Sequence, residues 1–154
     1  MKVIRGKANG TDCKIAIVLS LFNEFIGQKL LEGALSTLKE NGVNDDSIDL
    51  VKVPGAFELP VTAGKLASSN KYNAIICLGA VIKGGTPHFE YVSGAAANGI
   101  LDVSLKYEIP VMFGVLTTNT VEQAMERSGG KDGNKGKDVA LAALEMIDLM
   151  NKIK

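Results

Sequence analysis

Ala74-Ile75-Ile76-Cys77-Leu78 runs straight into Gly79-Ala80-Val81-Ile82-Lys83-Gly84-Gly85-Thr86, and Pro87-His88 opens the next segment. Five apolar residues without alternation are the pattern of a strand buried on both faces of a parallel sheet, where covering helices leave no wet side. A glycine-rich turn then hands the chain to a helix, with Thr86 suited to the N-cap and Pro87 to the first helical position. The same strand signal recurs in Ile15-Ala16-Ile17-Val18-Leu19 and in Val111-Met112-Phe113-Gly114-Val115-Leu116. Ile48-Asp49-Leu50-Val51-Lys52-Val53 reads as a fourth strand, interrupted by two charges. Between strands, Ile26, Leu30, Ala34 and Leu38 recur every four residues with Leu31 and Leu35 beside them, while Lys29, Glu32, Ser36, Lys39 and Glu40 fall on the other side of a helix. Alternating strand and helix signals predict a doubly wound α/β sheet of four parallel strands with helices on both faces. Met1 to Arg5 reads as a short extra strand. Right-handed crossovers place every strand-to-helix loop at one edge of the sheet, and a ligand site is expected there.

Length and charge narrow the function. A compact chain of 154 residues buries roughly 68–70% of its unfolded surface, which predicts one domain over residues 1–154. Seventeen basic residues balance 17 acidic ones, against the basic excess that a nucleic-acid footprint needs. No apolar run is long enough to span a membrane, and the first residues lack the apolar segment of a secretory leader, so a protein that is not secreted is expected. Cys13 and Cys77 are the only cysteines and lack CxxC spacing, which suggests reduced thiols in a cytoplasmic protein. His88 is the only histidine, so a zinc site built on a histidine pair is excluded. From His88 to Lys106 the helical pattern is apolar nearly all round, leaving only Asn98, Asp102 and Lys106 as a polar stripe. One sheet covers one side of such a helix, so either a contact with another subunit covers the other or the helix is buried within its own domain. A last helix over roughly 137–153 carries an ordinary polar face.

Four segments carry candidate chemistry. Gly79 to Thr86 is not a Walker loop, because Gly85 stands where that pattern needs lysine. A glycine-rich turn opening a helix nonetheless presents backbone N–H groups to an anion, although a plain strand-to-helix turn has the same composition. His88 falls in the first turn of that helix, where an imidazole can accept a proton and return it, although a partly exposed histidine with no task fits the same position. Val53-Pro54-Gly55-Ala56-Phe57-Glu58-Leu59-Pro60 reaches the same edge with a flat apolar surface and a carboxylate. Leu21-Phe22-Asn23 brings a second aromatic there, and two phenylalanines suit stacking on a heteroaromatic ring. Arg127 to Gly136 combines three cations with four glycines; such a segment can wrap a phosphate or stay a solvated loop.

Taken in order, these segments resemble the 6,7-dimethyl-8-ribityllumazine synthase family. The matching stretches are Phe22-Asn23, Val53 to Glu58, Lys83 to Tyr91, Phe113 to Thr117, Glu122 to Arg127 and Gly133-Asn134-Lys135-Gly136, and the likeness spans essentially the whole chain. It implies a flavodoxin-like version of the doubly wound sheet. It also implies a transferase of riboflavin biosynthesis that condenses 5-amino-6-(D-ribitylamino)uracil with 3,4-dihydroxy-2-butanone 4-phosphate, releasing phosphate and water without metal or organic cofactor. By the same resemblance Phe22 stacks on the pyrimidine, and Ala56, Phe57 and Glu58 line the ribityl chain. Ala80, Val81 and Ile82 meet the uracil edge through the main chain, and Gly85 and Thr86 meet the phosphate. Arg127 and Phe113 come from a neighbouring subunit, His88 transfers protons, and Lys135 and Asp138 support the site. The family assembles as pentamers or icosahedral shells, and the sequence does not choose between them. Leu21, Gly85, Ser128 and Gly130 depart from the usual family residues, chiefly at the phosphate end. A non-catalytic flavin- or pyrimidine-binding protein and a shell-forming structural subunit are the alternative functions on this scaffold. Phosphate release from both substrates separates the enzyme from either.

Overall fold

Strands β1 (Ile15–Ser20), β2 (Ile48–Val53), β3 (Ala74–Ile82) and β4 (Val111–Thr118) form one parallel sheet in the order β2-β1-β3-β4. The structure, a computed structural model, describes residues 1–153. Long helices α1 (Glu24–Glu40), α2 (Leu59–Ser68) and α3 (His88–Tyr107) follow the first three strands. After β4 come the short helix α4 (Val121–Glu126), the strands β5 (Ser128–Gly130) and β6 (Gly133–Asn134), and the final helix α5 (Lys135–Lys152). This is the expected doubly wound, flavodoxin-like α/β arrangement.

Period-two alternation sorts the apolar strands into two cores. Ile15, Ile17, Leu19, Ile76 and Leu78 pack against α1 and α5, together with Leu30, Leu38 and Leu144. Ala16, Val18, Ile75 and Cys77 point the other way, into Leu59, Ala63, Ala96 and Ile100 of α2 and α3. Central β1 is buried at every residue, whereas β2 and β4 are edge strands and only partly covered. On the α1 side the helices approach closely, because a Cβ at Gly136 would collide with the Leu30 carbonyl. The Asn134 side chain caps α5 by accepting from the Lys137 N–H at 3.2 Å and donates to the Lys29 carbonyl of α1 at 3.1 Å.

Three expectations are corrected. Met1 to Arg5 is not a strand. A strand's peptide groups need a partner edge, and this arm runs instead along α5. There its groups are met by side chains: the Lys7 N–H donates to Asp148 at 2.7 Å and the Lys152 ammonium donates to the Arg5 carbonyl at 3.0 Å. Secondly, Thr86 does not cap α3. The helix starts one residue later, with Pro87 at the cap and no side-chain cap bond, so the fixed proline φ ends the turn rather than beginning the helix. Thirdly, the segment after Arg127 is not a structureless loop. Ser128 to Asn134 closes as an antiparallel hairpin, with Gly129 and Gly133 at left-handed φ of 111° and 85°. Among the described residues no helix is long and apolar enough to cross a membrane.

Candidate active site

Strand order decides where a site can form. The chain moves outward from β1 to β2, returns across β1 to β3, and continues to β4, so the direction of winding reverses between β1 and β3. Loops leaving those two strands diverge, and a crevice opens outside their carboxyl ends. A groove of about 790 Å³ occupies this place.

Each wall comes from a different loop. β1 stops at Ser20, and the chain then bends beside the end of β2: the Leu21 N–H donates to the Val53 carbonyl at 2.8 Å and the Phe22 N–H to the Pro54 carbonyl at 3.1 Å. That path leaves the Phe22 ring 70% exposed at the lip. After β2, the 3-10 turn Ala56–Glu58 is closed by the Glu58 N–H donating to the Gly55 carbonyl at 3.2 Å. The turn buries Ala56 and turns Phe57 outward, 61% exposed. A Cβ at Gly55 would lie 3.2 Å from Glu58 Oε1, so the carboxylate folds back over the glycine. β3 runs past the last β1 partner, with β4 alone alongside it as far as Ile82. Ala80, Val81 and Ile82 therefore form the floor. The exposed Lys83 to Pro87 turn leads to His88, the first residue of α3 and itself exposed.

Of the residues singled out in the sequence, Phe22, Ala56, Phe57, Glu58, Ala80, Val81, Ile82, Thr86 and His88 line this one groove. Gly85 sits in the exposed turn between the lining residues Gly84 and Thr86 without lining the groove itself. Four residues do not reach it within one chain. Phe113 lies in mid β4, opposite Cys77, and packs against the α2 and α3 core. Arg127 stands at the base of the hairpin, its Nη1 donating to the Gln123 carbonyl at 3.0 Å and lying 3.6 Å from Glu126 and 3.9 Å from Asp132. Lys135 and Asp138 are exposed in the first turn of α5.

The groove also includes Phe89, Tyr91 and Val92, which the sequence did not place in the site. Tyr91 and Val92 lie three and four residues beyond His88, hence on its face of the helix, and that spacing was the available signal. Among the described residues, no group of three or more histidine, cysteine, aspartate or glutamate side chains is arranged to hold a metal ion. The arrangement offers two exposed aromatic faces, one carboxylate acceptor, a strand end rich in peptide groups and one imidazole. It suits a flat polar heterocycle with a hydroxylated tail, beside a group that exchanges protons.

A family model described as 6,7-dimethyl-8-ribityllumazine synthase matches residues 12–151. Two curated relatives carry that same name, both from Clostridium kluyveri, one from strain DSM 555 and one from strain NBRC 12016. Each is 54% identical to this chain over 154 residues, covering the whole of both sequences.

Proposed function

The chain belongs to the 6,7-dimethyl-8-ribityllumazine synthase family, and from that premise we propose how its groove carries out the transferase step of riboflavin biosynthesis. The reaction joins 5-amino-6-(D-ribitylamino)uracil to 3,4-dihydroxy-2-butanone 4-phosphate and releases phosphate and water. Phe22 stacks on the pyrimidine while the peptide groups of Ala80, Val81 and Ile82 read its polar edge. The ribityl chain runs along Ala56 and Phe57, its hydroxyls donating to the Glu58 carboxylate. Gly85 and Thr86 receive the phosphate together with Arg127 of an adjacent subunit, whose Phe113 closes the site. Lys135 and Asp138 support it. The active unit is a homo-oligomer of single-domain chains in the cytoplasm.

The residues suit the chemistry. The 5-amine attacks the ketone, water and phosphate leave, and the ribitylamino nitrogen closes the second ring, so protons move at every step. His88 stands where it can take and return them, an effect of roughly 10²–10⁴-fold for a positioned acid or base. Holding two reactants face to face supplies more, since effective molarities reach about 10⁵–10⁸ M in ideal cases.

The observation that carries this reading is the meeting of Phe22, Glu58 and His88, from three separate loops, around one groove at the winding reversal. The test is to mix both substrates with the assembled protein and follow phosphate release and lumazine absorbance together. Stoichiometric appearance of both supports the reading. Binding of the pyrimidine without phosphate release would leave a binding protein instead.

A further inference from the structure

We propose that Asn23 is a positioning residue for this reaction: its side-chain amide ties the loop bearing Phe22 to the end of β3, setting the aromatic face against the peptide edge between which the pyrimidine lies. The proposal rests on the groove being the pyrimidine site.

Asparagine is a favoured helix N-cap because its side-chain oxygen accepts an N–H from the first turn. Asn134 does this for α5. Asn23 occupies the same position in α1 and does not: it makes no side-chain cap bond, and its backbone is left-handed at φ 59°, ψ 48°. Its amide instead donates to the Ala80 carbonyl at 3.1 Å, across 57 residues of sequence. The acceptor is a carbonyl, which requires the NH₂ end of the amide to face it.

The left-handed conformation is costly for any residue with a Cβ and persists where surroundings over-determine it. Among the described residues the other non-glycine cases are Asp12, Asn70 and Glu108. All three precede strands, at the opposite edge of the sheet. Asn23 alone adopts it at the edge that carries the groove.

The tether fills a gap in the ladder. The Lys83 N–H reaches Thr118 of β4, so by alternation the Ala80 carbonyl faces the other way, towards β1. β1 supplies no further partner, because Leu21 and Phe22 have turned their N–H groups to Val53 and Pro54. Asn23 takes the place of the missing strand residue. Phe22, exposed and with little packing of its own, is thereby held from both sides, by the end of β2 and by the end of β3.

Two variants test this in the assembled protein. Asn23→Gly relieves the left-handed residue and deletes the amide; Asn23→Asp keeps the size but puts acceptor against acceptor. Both are checked for folding by thermal melts, and either alone suffices for the kinetics. The Michaelis constant for 5-amino-6-(D-ribitylamino)uracil is expected to rise roughly 3–10-fold, the worth of one neutral hydrogen bond. That for the four-carbon phosphate and the pH profile of kcat should stay as in wild type. In a Phe22→Ala background, Asn23→Asp should add less than about twofold, since coupled residues are not additive. Additive effects, parallel rises in both Michaelis constants, no rise at all, or failure of both variants to fold would overturn the proposal. If Phe22→Ala itself leaves pyrimidine affinity unchanged, the reading of the groove falls and Asn23's role with it; a Phe22 effect without an Asn23 effect overturns the latter alone.

Discussion

His88 stands exposed at the first position of α3, so its contribution rests on where it stands in the groove. Substitution by alanine removes the proposed proton-transfer group and leaves the other walls intact. We expect stopped-flow turnover to fall by at most roughly 10²–10⁴-fold without vanishing, and unchanged turnover would remove His88 from the chemistry. Gly85 presents the opposite case. Its Cβ position is open space, and its φ is not in the left-handed region. Alanine there costs nothing in the native turn and restricts the unfolded chain, so Gly85→Ala should raise stability by about 0.4–1 kcal/mol in a urea titration. Cys77 takes no part in either effect: complete burial in β3 pushes its thiol up to about 12, and it stays protonated. The tether made by Asn23 was not legible in the residue itself. An asparagine at a helix start reads as a cap, and only the left-handed backbone turns its amide towards β3.

At the scale of elements, spacing was the best guide. The four-residue recurrence of Ile26, Leu30, Ala34 and Leu38 marked the buried face of α1, and all four residues are buried. Its partner α5 meets that face through Gly136, packed onto the Leu30 carbonyl. Gly136→Ala must push the two helices apart, and overpacking of this kind costs about 1–3 kcal/mol. The measured midpoint of denaturation should drop with the slope unchanged. At the opposite edge of the sheet, the Tyr72 hydroxyl donates to Asp49 of β2 at 2.6 Å, with the Lys14 ammonium 3.8 Å from the same carboxylate. That hydrogen bond, then burial, then the charge of Asp49 raise the phenol above its ordinary value of 10.0. The neutral phenol is thus favoured in the folded state, and its stabilisation is complete below the ordinary value and is lost as pH climbs through the raised one. Tyr72→Phe should flatten the alkaline limb of a plot of melting temperature against pH, while neutral pH shows only loss of the bond. The β5–β6 hairpin was hidden in the sequence because glycines and charges carry no periodicity. Lys131 and Asp132 make its turn, while left-handed Gly129 sits at the irregularity within β5 and left-handed Gly133 opens β6, a pattern that composition alone assigns equally to a loop.

The whole molecule raises the question of what covers α3. Ala96 and Ile100 are its only fully buried residues, while Tyr91, Leu101 and Leu105 are 74%, 55% and 68% exposed. Exposed apolar stripes of this kind mark interaction surfaces in general, and in the proposed homo-oligomer a second copy would cover this one. Phe113 and Arg127, which the family resemblance assigns to a neighbour's site, lie outside the groove of their own chain. Assembly and activity should therefore fail together. We expect Leu105→Glu to yield smaller particles by mass photometry and to lose turnover while each chain stays folded by circular dichroism. An assembled, active variant would mean that this face is not the contact.

The alternation of apolar strands with amphipathic helices was sufficient by itself to determine the layers, the parallel sheet and the edge at which the groove opens. Burial and crossover handedness depend on pattern, which a sequence displays directly. The order of strands, with its reversal between β1 and β3, and the lacing of three loops into one groove came only with the tertiary structure. Those features arise from hydrogen bonds and contacts between residues such as Asn23 and Ala80, far apart along the chain, and no local preference encodes which carbonyl a side chain will reach.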